Sequence, residues 1–139
     1  MTANPSRKIF VNLPVGDLKR SIEFFTTLGF AFNPQFTDDT AACMIVSDEA
    51  FVMLLVEGKF QDFTKKELAD PARQTEAIMA VSAESRAQVD DLADTALASG
   101  GSAANEPIDM DGFMYGRSFQ DPDGHLWEVV WMDPAALAA

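Results

Sequence analysis

Few side chains in this 139-residue chain are suited to chemistry, and most of those lie near its C-terminal end. Glu128 stands in the run LWEVVWM, where Trp127, Val129 and Trp131 alternate with Leu126, Glu128 and Val130. A strand apolar on both faces is covered on both sides, so this carboxylate faces a core or a cavity, where an isolated charge is costly. It therefore requires a partner, a ligand or a catalytic task. Arg117 is the only Lys or Arg after Arg86 and falls on the segment before the DPDG turn. If Gln120 closes that hairpin opposite His125, Arg117 lies across from Glu128 and forms a cross-strand ion pair. A bulge of one residue turns Arg117 to the other face and brings Ser118 beside Glu128 instead.

The remaining reactive groups offer less. His125 is the sole histidine, and its place beside Gly124 in the turn suits solvent contact or capping of the hairpin better than acid–base work. No Ser-His-Asp or Cys-His arrangement can be assembled around it. Cys43 is the only cysteine, which excludes an internal disulfide and a cysteine zinc cluster. With no Lys, Arg or His close in sequence, its thiol reads as packing.

The elements that must position these groups follow from periodicity. Residues 8–14 alternate as a strand, with Ile9, Val11 and Leu13 on one face and Phe10 and Asn12 on the other. Asp17 caps a helix bearing Leu18, Ile22 and Phe25, and Gly29 stops it. Strands are expected at 30–37, 41–47 and 51–56. After a segment around 58–75 that contains Pro71 and reads as a linker with one helical turn, the order restarts. A strand at 77–83 precedes the capping box Ser85–Gln88 and a helix carrying Val89, Leu92, Ala96 and Leu97. Gly100-Gly101 ends it, and strands near 102–105, 113–120 and 126–132 follow. The fold class is α+β, with βαβββ modules at about 7–57 and 76–133 forming one domain.

Composition bounds the partners. A net charge of −12 and a pI of about 4.2 argue against nucleic acid and anionic membranes. The N-terminal apolar run is broken by Asn12 and Pro14 and is far short of the roughly 20 apolar residues of a membrane span. A cytoplasmic protein in a reducing compartment is the expectation.

Two βαβββ modules, the first opening with VGDLKRSIEFFTTLGF and the second closing with FQDPDGHLWE, resemble the vicinal oxygen chelate superfamily of glyoxalase I, extradiol dioxygenases and the fosfomycin and bleomycin resistance proteins. In detail the chain is most similar to the branch of predicted lactoylglutathione lyase-related proteins. The resemblance implies curved mixed sheets around a cavity and a homodimer. It also implies metal ligands in the first and last strands of each module, at positions that here hold Phe10, Leu54, Ala77 and Glu128. Three of the four are apolar, and one carboxylate does not hold a divalent ion, so no cofactor is expected. In fosfomycin-resistance relatives the residue three before the DPDG aspartate lines the pocket, which here is Ser118 and tips the choice slightly to the bulged register.

The site expected is thus Glu128 with Ser118 or Arg117 and Asn12, set among Phe10, Leu54, Ala77 and Met79. Such a set resembles a pocket for a small, largely apolar molecule bound without metal. The alternative is a glyoxalase-type lyase or isomerase in which Glu128 acts as general base or as a residual metal ligand. A third reading makes the domain an interaction module, presenting Phe60 and Phe63.

Overall fold

Each half of the chain converts the same pattern, a strand, a capped helix and further strands, into one four- or five-stranded sheet. The computed structural model describes residues 6–137, and the chain divides into units Met1–Leu68 and Ala69–Ala139. No helix among the described residues is long and apolar enough to cross a membrane.

In the first unit, β1 (Ile9–Val15) runs into α1 (Leu18–Thr27), followed by β2 (Ala31–Asn33), β3 (Ala41–Ile45) and β4 (Ala50–Val56). The sheet order is β1-β4-β3-β2, with β1 parallel to β4 and the other pairs antiparallel. Asp17 caps α1, its carboxylate accepting from the Arg20 N–H at 3.1 Å, and Gly29 supplies the left-handed stop at φ +102°. The helix buries Leu18, Phe24 and Phe25, and Phe25 packs edge-on against Phe24 and Phe30. The strand expected at 30–37 is shorter. Pro34 ends β2 because it has no N–H for the ladder, and residues 34–36 form a 3₁₀ turn capped by Asn33. Beyond β4 a short helix, α2 (Glu57–Gln61), precedes Phe63, whose ring is exposed with Lys59 over it.

The second unit contains β5 (Ile78–Ser82), α3 (Arg86–Ala98), β6 (Ser102–Ala103), β7 (Ile108–Met110), β8 (Met114–Gln120) and β9 (Leu126–Met132), then the short α4 (Pro134–Leu137). Its order is β5-β9-β8-β6, with β5 parallel to β9 and β7 also paired to β8. Ser85 caps α3 by accepting from Gln88 N–H, while the Gln88 side chain accepts from Glu84 N–H. Val89, Ala93 and Val129 form its core, with Val81, Leu92, Tyr115 and Trp131 packed around them.

The edge beside β8 departs from the expected single strand at 102–105. Ala103 pairs with Phe119 and Ile108 with Gly116, so residues 104–107 bridge a stretch of β8 that holds only Arg117 and Ser118. Pro107 cannot donate to the ladder, and the chain bulges outward there. The bulge creates the space described next.

Candidate functional site

The DPDG turn fixes the register on which everything else depends. Asp121 N–H donates to the His125 carbonyl and Gly124 N–H to the Asp121 carbonyl, at 3.0 and 2.9 Å. Three residues thus form the loop, with Gly124 at φ +99° as the extra, left-handed residue of a bulge. Gln120 consequently faces Leu126, and Ser118 faces Glu128. Asp121 is only 3 % exposed; its carboxylate accepts from the N–H groups of Asp123 and His125 and from the Trp127 indole, each at 3.0 Å. Burial pushes its pKa up, opposed by the nearby His125 and these hydrogen bonds. His125 serves the turn through its backbone. Gly124 also has a neighbour: a Cβ there would lie 2.7 Å from the Pro71 carbonyl oxygen.

The two faces of this sheet have separate tasks. Tyr115, Arg117, Trp127, Val129 and Trp131 share the face covered by α3. There the Arg117 guanidinium donates to Asp90 at 3.1 Å and Asp94 at 2.7 Å, and the Tyr115 hydroxyl donates to Asp90 at 2.6 Å. Tyr115 first and Arg117 next hold the Asp90 carboxyl below its ordinary pKa. Arg86 stacks over Tyr115 and pairs with Asp109.

The opposite face carries Met114, Gly116, Ser118 and Gln120 of β8, Leu126, Glu128 and Val130 of β9, and Ile78, Ala80 and Ser82 of β5. A recess of about 40 Å³ opens on it, lined by Glu128, Ser118, Gly116, Met114 and Val130 and, from the bulged edge, Asn105, Glu106 and Ile108. The Ser118 hydroxyl is committed to that edge, accepting from Asn105 N–H at 2.7 Å and donating to its carbonyl at 3.3 Å. Among the described residues, no hydrogen bond or ion pair reaches the Glu128 side chain. Asn105 is also a wall of a neighbouring cavity of about 230 Å³, bounded by Pro71, Arg73, Gln74 and Gln120.

These placements correct parts of the expected site. Arg117 contributes backbone to the recess, but its side chain turns to α3, so the ion pair with Glu128 does not form and the Ser118 register holds. Met79 pairs with Trp127 and so belongs to the α3 face, not to that of Glu128. Ala77 is exposed and precedes β5. In the first unit Leu54 lies opposite Leu13 and is fully buried, whereas Phe10 and Asn12 lie opposite Phe51 and Met53, on the other face. Phe10 is half exposed and stacked on Phe51, with centroids 5.0 Å apart. Asn12 turns its amide to the Phe10 carbonyl. Sequence reasoning missed Asn105, Glu106 and Ile108. Pro107, which cannot donate to a strand ladder, is the sequence signal that marks this break in the edge.

The strands that would supply a divalent metal's ligands lack the donors: β1, β4 and β5 contain no His, Cys, Asp or Glu, and β9 contains Glu128 alone. Among the described residues no three such side chains gather. One carboxylate with neutral oxygens does not fit the ion.

Two units that each run strand, capped helix and further strands, the second closed by a DPDG hairpin, define a glyoxalase-type fold. The chain belongs to the Glyoxalase/Bleomycin resistance protein/Dioxygenase superfamily, whose sequence profile matches residues 9–129. Among solved structures it is similar to hypothetical protein SA1046 from S. aureus, with 28% identity, a TM-score of 0.75, and coverage of 89% of this chain and 92% of that one. A glyoxalase-related enzyme from Fulvimarina pelagi shares 20% identity at a TM-score of 0.76, covering 90% and 87%. A glyoxalase/bleomycin resistance protein/dioxygenase family enzyme from Burkholderia phytofirmans PsJN shares 13% at 0.73, covering 88% and 96%. A comparison with curated proteins returned no match.

Proposed function

We propose that this member of the superfamily binds a small, largely apolar molecule without a metal, as an offshoot of the lactoylglutathione lyase-related branch. The observation that carries the reading is the Glu128 carboxylate, partnerless among the described residues and set in a recess whose other walls include Met114, Ile108 and Val130. A few polar anchors in an apolar surround are what a ligand site provides. A lyase using Glu128 as base would need a group to stabilise an enolate. In this unit the Arg86 side chain of α3 engages Asp109, and that of Arg117 in β8 engages the α3 pair Asp90 and Asp94. Exposed Ile9, Phe10, Ile78 and Met110 favour a second copy of the chain as a partner, which light scattering would register as a dimer.

Gly116 supplies the decisive variant. A Cβ there meets only Val130 and the Val129 carbonyl at 3.4 Å or more, so a larger side chain fills the recess. Aromatic and aliphatic metabolites would be screened by thermal shift against the native protein and Gly116→Leu. A ligand at about 100 times its Kd adds roughly 2.7 kcal/mol, several degrees in Tm for a chain of this size. The expected result is a stabilising ligand whose effect is lost in Gly116→Leu. Absence of any hit across the panel, or hits indifferent to the variant, refutes the assignment.

A further inference from the structure

Charge is divided very unequally between the two units, and the recess lies in the acidic one. Residues 1–68 hold 7 Lys or Arg against 9 Asp or Glu, a net of −2, whereas residues 69–139 hold 3 against 13, a net of −10. The three cations of the second unit are Arg73, Arg86 and Arg117. Arg86 is bound to Asp109, and Arg117 is bound to Asp90 and Asp94 on the α3 face. Arg73 borders the neighbouring cavity and not this recess.

Two carboxylates line the recess, Glu128 partly buried in β9 and Glu106 exposed on the bulged edge, and among the described residues neither has a hydrogen-bond or ion-pair partner. Ser118 cannot relieve Glu128, because its hydroxyl already donates to the Asn105 carbonyl. A half-buried anion without a partner is stabilised most by a ligand that supplies the missing positive charge and N–H donors. The space, about 40 Å³, suits a head group of a few atoms, and Ile108, Met114 and Val130 beside it offer contact to a hydrocarbon body. Two carboxylates leave a bare metal ion short of the six or more oxygens that a hard cation takes.

We infer that the ligand of this recess is an organic cation, a primary or secondary ammonium on an apolar body, with its N–H groups on Glu128 and Glu106. The inference rests on the apolar-ligand reading above and narrows it to a chemical class. The acidic field of the second unit adds a second contribution, drawing cations toward the same face and weakening as salt rises.

Three probes of one shape and different charge separate the possibilities: 4-phenylbutylamine, 4-phenylbutan-1-ol and 4-phenylbutyrate, titrated calorimetrically into the native protein, Glu128→Gln, Glu106→Gln and Asp91→Asn, with circular dichroism to check folding. Asp91 is exposed on α3 and outside the recess, so its variant removes the same charge from the field alone. In the native protein the amine binds about tenfold or more tighter than the alcohol, the scale of one hydrogen-bonded charge. The preference falls to about threefold or less in Glu128→Gln, falls partly in Glu106→Gln, and persists in Asp91→Asn. Equal binding of amine and alcohol overturns the cation assignment while leaving the apolar-ligand reading intact. Tighter binding of the butyrate, or calcium or magnesium chloride titrating the recess in place of the amine, overturns it as well. A preference unchanged in Glu128→Gln, or reduced equally in Glu128→Gln and Asp91→Asn, shows no bond to Glu128 beyond the general field and also overturns it. No heat from any of the three counts against both readings.

Discussion

The two units share a plan and differ in what holds them. The first is built on large apolar side chains: Phe24, Phe25 and Phe30 around α1, and Leu54 and Met44 fully buried in the sheet. The second puts small residues, Ala93 and Ala96, under α3 and ties the helix to the sheet through Arg117, Tyr115, Asp90 and Asp94. Its hairpin is held by a buried carboxylate. Both halves bury large side chains, Trp127 and Phe119 in the second, but only the second adds this set of directed polar bonds between its helix and its sheet. Directed bonds on the α3 face also commit the cations there, which leaves Glu128 alone on the opposite face. The site follows from how the second unit solves its packing.

The largest effect that would test this contrast lies in the first unit. Leu54→Ala should cost about 3–5 kcal/mol, as for other fully buried leucines, measured by chemical denaturation followed by circular dichroism. The loss should be the same between about 0.05 and 0.5 M NaCl, because no charge is involved. A salt-dependent loss would break the comparison. Next comes Asp121→Ala, which leaves the Trp127 indole and two backbone N–H groups without their acceptor. A cost of about 2–3 kcal/mol is expected, moderated because burial already disfavours the charge. Both tryptophans, Trp127 and Trp131, lie in β9, so their emission reports this transition directly.

Arg117→Ala should cost less, about 1–2 kcal/mol, and unlike Leu54→Ala the loss should shrink in high salt. Its pH dependence has a definite sign. The Asp90 pKa is lowered in the folded protein, so the stability it provides is present above its unfolded value, near pH 4, and is lost as pH falls through the lower folded value. Native and variant midpoints should therefore converge below about pH 4, and divergence there would refute the network's role. Smallest of all is Glu128→Gln, expected within about 0.5 kcal/mol of native because no bond is broken. A loss above about 1 kcal/mol would reveal a structural partner for this carboxylate and remove it from the site.

Much of the frame was readable from local chemistry. Asp17 and Ser85 cap where their spacing to the apolar positions says they should, and Gly29 ends its helix for the reason that glycine usually does. DPDG announced the hairpin, yet its register turned on whether Gly124 counts as an extra residue, a choice of one position that reverses every side chain after it. The position of Leu54 shows a related limit. An apolar strand such as AFVMLLV gives no contrast between faces, so its outward and inward residues could not be told apart until pairing with β1 placed them. β7 was missed because three exposed residues between Pro107 and an Asp-Gly turn carry almost no periodic signal. Its pairing depends on β8 and on the Arg86–Asp109 contact, both distant in sequence.

Gly124 has a consequence for anyone who would re-engineer the molecule. Hairpin tips are ordinarily the places where tags, epitopes and permuted termini are grafted with least harm. Here the tip is a seat: the backbone of Pro71 and Ala72 rests where any side chain at position 124 would stand. Asparagine, the usual substitute for a left-handed glycine, satisfies the torsion and fails on space. Grafts belong instead at Asp111-Gly112, where a left-handed pair turns the chain and nothing lies within 4 Å of the added Cβ at Gly112.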